Sequence, residues 1–173
     1  VRGYSPNTLI LSRFKEYITF KYDTRIGFAR DIWDLKDFNI ASERINESSA
    51  RNKIYFTDIE NLKNRELLKT YLKYLIGNTD LSIATITSRM TRIKSFLTHI
   101  GDIDLNSINR KNIETYYEEM NKKNLKDRTF NQCIIDNLNF LQYLELKGLI
   151  SRNYFYSQDT KYAPIEFKLR SVD

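Results

Sequence analysis

The sequence predicts an all-α protein: a four-helix bundle preceded by a smaller, mostly helical N-terminal segment. Both prolines, Pro6 and Pro164, lie near the ends of the 173 residues, so none interrupts a helix between them. Apolar residues recur at three- and four-residue spacing through most of the second half. Three of those runs stop at a glycine, Gly77, Gly101 or Gly148, the residue that most easily closes a helix.

The first clear helix is expected over Asn64–Ile76, with Leu67, Leu68, Tyr71, Leu72 and Leu75 inward and Gly77-Asn78 as its stop. Ser82–Ile100 follows, striped by Ile83, Ile86, Met90, Ile93, Leu97 and Ile100. Asn109 is placed to cap a shorter helix containing Ile113, Tyr116, Tyr117 and Met120. Asp127 is placed to cap a long one containing Phe130, Ile134, Leu138 and Leu141. Upstream, Asn7–Tyr22 reads as a helix with Leu11, Phe14, Ile18 and Tyr22 inward, and Ile26–Phe38 as a second one around Trp33. Asn46–Asn52 reads as a loop and Lys53–Thr57 as a short extended piece. The polar stretch from Ser157 to Asp173 reads as a linker.

Composition narrows the function. The chain has 28 Lys and Arg against 22 Asp and Glu, a net charge of +6 that favours an anionic partner such as nucleic acid. It has one histidine, His99, and one cysteine, Cys133, so neither a Cys- or His-based metal site nor a Cys-His or Ser-His-Asp arrangement is expected. Five glycines include no phosphate-cradling Gly-rich loop. No apolar run approaches the ~18 residues of a membrane span. These features point to a binding module in a reducing, cytoplasmic compartment, with no catalytic residue, metal or cofactor of its own. The chain opens without Met and is expected to be part of something longer.

The Ser82–Ile100 helix carries the most information. Opposite its apolar stripe lie Ala84, Thr85, Ser88, Thr91, Arg92, Ser95 and His99, with Arg89 and Lys94 flanking, and Leu81–Ile100 contains no acidic residue. An ordinary solvent-facing helix mixes charges of both signs. Small hydroxyls and cations without carboxylates instead let a phosphate backbone approach and donate to it. Lys126, Arg128, Thr129, Asn131 and Gln132 crowd the start of the last helix, where anions are favoured and where Arg, Asn and Gln suit base edges. The candidate DNA-contacting residues are therefore Ser82, Thr85, Ser88, Arg89, Arg92, Lys94, Lys126, Arg128, Thr129, Asn131 and Gln132. A solvated polar face is the plainer alternative for each helix. Tyr116, Tyr117 and Trp33 are expected in the core, and Cys133 as a small buried apolar residue.

Two ordered blocks carry a family resemblance. One is Leu81-Ser82-Ile83-Ala84-Thr85-Ile86, Arg89, Ile93-Lys94-Ser95-Phe96-Leu97, Ile108 and Ile113-Glu114-Thr115-Tyr116. The other is Asp127-Arg128-Thr129-Phe130-Asn131-Gln132, Leu138, Phe140-Leu141, Tyr143-Leu144, Lys147-Gly148-Leu149-Ile150 and Asn153. Together they resemble the N-terminal core-binding domain of tyrosine recombinases, the phage-integrase family, over roughly Ile54–Phe155. The resemblance implies a SAM-like four-helix bundle forming half of a clamp on duplex DNA, with the helices at Ser82–Ile100 and Arg128–Lys147 nearest the major groove. It implies a phage- or transposon-type recombinase with other recombinase protomers as partners and a tyrosine-bearing catalytic domain elsewhere in the parent protein, and the Asn-, Lys-, Ile- and Tyr-rich composition suggests a bacterial or mobile-element gene. Asn153 is followed by Tyr154 where the family often has Pro, and some sixty residues precede the bundle.

The expected division is 1–56 as an N-terminal arm or small helical subdomain, 57–156 as the DNA-binding domain, and 157–173 as a linker. The fragment is expected to be monomeric, to position duplex DNA, and to carry no chemistry. A helix-turn-helix-like transcription regulator and a helical protein-interaction module are the alternatives; Gly101–Ile108 is long for a helix-turn-helix connection.

Overall fold

Asparagine and glycine set several helix boundaries in the computed structural model, which describes residues 6–45 and 53–161. Among these are α1 (Pro6–Tyr22), β1 (Ile32–Asp34), β2 (Lys53–Tyr55), α2 (Leu62–Asn78), α3 (Ile83–Ile100), α4 (Arg110–Lys122) and α5 (Asp127–Leu146). The Asn61 side chain accepts from Asn64 N at 2.9 Å and opens α2. Asn109 opens α4 through a reciprocal capping pair with Asn112. Gly101 (φ +60°) and Gly148 (φ +67°) turn the chain after α3 and α5 in the left-handed region that glycine enters at least cost. Asp127 is the first residue of α5 rather than its cap; Lys126 holds the cap position without a side-chain bond. The Asp127 carboxylate there favours the helix through its positive N-terminal end.

The all-α expectation holds, with one small two-stranded sheet added. The chain divides into two compact units, Val1–Ser88 and Arg89–Asp173, with the boundary inside α3.

In the first unit the expected helix over Ile26–Phe38 is replaced by two 3-10 turns flanking β1. Gly27, at φ +54°, ends any helical start there. β1 pairs antiparallel with β2 in the register Ile32↔Tyr55, Trp33↔Ile54 and Asp34↔Lys53. Trp33 is the core anchor expected of it, 1% exposed and packed edge-on against Phe28 and Phe56. Its indole N–H donates to Arg30 O at 2.9 Å. The extended piece expected at Lys53–Thr57 is β2; the loop expected at 46–52 lies outside the described residues.

Asp31 ties this unit together. Its carboxylate accepts from Arg25 at 2.8 Å, Arg65 at 3.0 Å and Lys69 at 2.7 Å. Burial pushes the carboxyl pKa up, but these donors outweigh it and hold the pKa at about 2. Arg44 donates to Ile76 O at 2.8 Å and Leu81 O at 2.9 Å, closing the carbonyl end of α2. The inward face expected of α1 is not buried: Leu11, Phe14 and Tyr22 are each more than 60% exposed, and Ile18 is 37% exposed.

In the second unit the expected stripes form the core except at Tyr117 and Leu138, which are half-buried. Met90, Ile93, Leu97 and Ile100 of α3, Ile113, Tyr116 and Met120 of α4, and Phe130, Ile134 and Leu141 of α5 are all buried. Phe96 packs edge-on against both Tyr116 and Phe155. Arg110 forks onto Asp159 with two bonds of 2.7 Å, so the chain just after α5 is held against α4. The rest of the expected linker, from residue 162 onward, lies outside the described residues.

Candidate nucleic-acid interface

The three-four spacing that buries one side of α3 turns the other outward. Ala84, Ser88, Thr91 and Ser95 are exposed, while Thr85, Arg89, Arg92, Lys94 and His99 are half-buried. The hydroxyls of Ser82, just before α3, and Thr85, in its first turn, are engaged locally. Ser82 Oγ accepts from Thr85 N at 3.3 Å, and the two hydroxyls share a hydrogen bond of 2.9 Å. Ser82 thus acts as a helix-start residue; Ser82 and Ser88 are exposed and Thr85 is half-buried.

The sequence placed Arg92 on an open face with no acid to meet it. The structure corrects this: α5 supplies the acid. Asp136, 1% exposed, accepts from Arg92 Nε at 2.5 Å and lies 3.7 Å from Arg89 Nε. Gln132, one turn earlier on α5, donates to the other Asp136 oxygen at 3.1 Å. Three expected DNA-contacting residues, Arg89, Arg92 and Gln132, therefore meet at one buried carboxylate. Asp136 itself was missed. Its signal was present: it lies in phase with Cys133, Asn137 and Phe140, all buried, and an acid in a buried stripe calls for a facing cation.

The start of α5 divides. Lys126, Arg128 and Thr129 are exposed. Asn131 is engaged by the main chain that follows the bundle: its Oδ1 accepts from Lys161 N at 2.6 Å and its amide donates to Lys161 O. The Lys161 ammonium lies 4.3 Å from the Phe130 ring centre and donates to Asn121 Oδ1 at 2.8 Å. At the end of α3, His99 Nδ1 lies 2.5 Å from Glu119 Oε2. Hydrogen bonds from Lys123 and then His99 hold the Glu119 carboxyl below its ordinary range.

Among hydroxyls and thiols, burial favours the neutral forms. It pushes the Tyr116 phenol up to about 12, raises Tyr117 further with help from the Asp159 carboxylate, and raises the Cys133 thiol. Among the described residues no group of three His, Cys, Asp or Glu side chains is placed to hold a metal ion. No helix among them is long and apolar enough to cross a membrane.

Comparison with known proteins bears out the family resemblance. Residues 68–148, from α2 to the glycine after α5, match the family described as phage integrase, N-terminal SAM-like domain. The whole chain aligns at 24% identity with transposase B from transposon PsiTn554 of Staphylococcus aureus. It aligns at 25% identity with transposase B from transposon Tn554 of the Mu50 and N315 strains of that species. The chain spans 28% of the length of these relatives. No solved structure matches it significantly.

Proposed function

We propose that this chain is the DNA-binding part of a tyrosine-recombinase-type transposase or integrase, holding duplex DNA in register for a catalytic domain outside these 173 residues. The observation that carries the reading is the meeting of Arg89 and Arg92 from α3 with Gln132 from α5, beside the exposed Lys126, Arg128 and Thr129. Cations and amide groups offered together by two neighbouring helices suit phosphate oxygens and base edges at once. The integrase-domain match over 68–148 and the transposase relatives support the same reading. In it, residues 57–156 grip the DNA, residues 1–56 form an accessory arm, and the parent protein works with other protomers in a bacterial cytoplasm. Ser88 and Lys94 add phosphate contacts along α3. The fragment itself performs no strand chemistry.

Salt titration tests this. If five or six phosphates are contacted, log affinity for a short duplex should fall against log salt with a slope of about −5. A flat salt response, or no binding at low salt, overturns the proposal.

A further inference from the structure

Asp136 poses a physical question. A carboxylate close to a surface meant for a polyanion weakens binding if its charge is displayed, and its burial carries a desolvation cost. It is 1% exposed, while the two arginines that face it each keep 26% of their side chains in solvent. The carboxylate is therefore beneath the surface and the cations are partly on it. The other buried acid with several cationic partners among the described residues, Asp31, differs. Two of its partners, Lys69 and Arg65, are themselves 4% and 13% exposed and brace it from within the fold, while the third, Arg25, is 44% exposed.

The atoms used sharpen the contrast. Asp136 takes Nε of Arg92. The Nη1–Nη2 edge, the pair of parallel donors that matches guanine O6 and N7 or two phosphate oxygens, is not the edge Asp136 uses. Gln132 gives Asp136 one amide hydrogen and keeps its carbonyl and second amide hydrogen. A long flexible arginine otherwise loses rotamer freedom when it binds; one already held at Nε has lost much of it beforehand.

Resting on the DNA-binding reading above, we infer that Asp136 is a positioning residue: from under the surface it presets Arg92, with Arg89 and Gln132, as one unit that discriminates between base sequences in duplex DNA. The expected signature has an unusual sign. Asp136→Asn removes a negative charge, so charge alone makes it bind every duplex more tightly. Positioning makes it bind a preferred duplex relatively less well.

The test uses the full 173-residue chain. The probes are a short duplex enriched from a randomised library by the unaltered protein and a scrambled duplex of the same composition. Asp136→Asn should lower the ratio of the two affinities by about tenfold or more, with scrambled-duplex affinity unchanged or raised. Arg92→Lys keeps the charge and the reach to Asp136 but removes the donor fork. It should lose the same discrimination at an unaltered melting temperature. If Asp136→Asn folds and keeps its discrimination, the inference is overturned. If it does not melt cooperatively, Arg92→Lys decides: retained discrimination overturns the inference and lost discrimination supports it. An unaltered protein that binds duplexes but enriches no sequence overturns the inference alone. One that binds no duplex overturns the DNA-binding reading as well.

Discussion

Arg110 and Asp159 face each other fork to fork: Nη1 and Nη2 of the guanidinium each donate to one carboxylate oxygen at 2.7 Å. Tyr117 adds its hydroxyl to the same carboxylate at 2.8 Å. Burial alone raises the Asp159 pKa, but the Arg110 and Tyr117 bonds hold it below the ordinary range. This pair fastens the chain leaving the bundle to α4. Asp159→Asn should lower stability by about 1 kcal/mol, since the pair is only partly buried. Limited proteolysis should then cut sooner between residues 150 and 161. An unchanged melt and cleavage pattern would show that Phe155 packing alone holds the segment.

Stability should also fall in acid. Asp31 has a folded pKa of about 2 against an ordinary value of 3.8. A lowered folded pKa contributes stability that is complete above the unfolded value and is lost as pH falls through the folded one. Thermal melts should therefore weaken between about pH 5 and pH 2, by roughly 2 kcal/mol for this group. Asp31→Asn should be less stable at neutral pH and show a shallower acid slope. An acid slope identical to that of the unaltered chain would remove Asp31 from the account.

Arg92→Ala should cost about 2 kcal/mol or more, because it leaves Asp136 buried with Arg89 at 3.7 Å as its remaining arginine partner. The double variant Arg92→Ala with Asp136→Asn should melt above the single Arg92→Ala variant, since the uncompensated charge is gone. Denaturant midpoints measure both. Simple addition of the two single effects would argue against the pairing.

Phe14 and Phe56 give a matched contrast. Phe14 is 61% exposed on α1, and Phe56 is fully buried beside Trp33. Phe14→Ser should stay within about 0.5 kcal/mol of the unaltered chain. Phe56→Ala should lose about 3–5 kcal/mol through lost burial and the cavity left behind. A large loss at Phe14 would mean that α1 packs its apolar residues in solution.

The helices from α2 to α5 were legible because their periodicity and stop residues agree. Ile86, Ile93 and Leu97 recur on one side of α3, and Gly101 and Gly148 fall where the chain must turn. Asn109 was legible as a cap because its short side chain reaches the backbone N–H groups of the turn it precedes. The region around Trp33 was misread because a short apolar run fits a helix or a buried strand equally well. Pairing with Lys53–Tyr55, about twenty residues away, settles it, and no local pattern records that partner. Leu11, Phe14 and Ile18 share a helical face in sequence, but periodicity states which residues share a face and not whether anything covers it.

By itself, then, the sequence determined the helical character of residues 62–146, their inward faces, and the acid-poor polar face of α3. Those are local properties, set by spacing along one helix. Only the tertiary structure decided what that face meets. Arg92 finds Asp136 from 44 residues away, and Asn131 is taken up by the main chain 30 residues on. A charge is neutralised by whatever lies within a few ångströms of it in space. An absence of carboxylates along one helix could not show that a neighbouring helix supplies one.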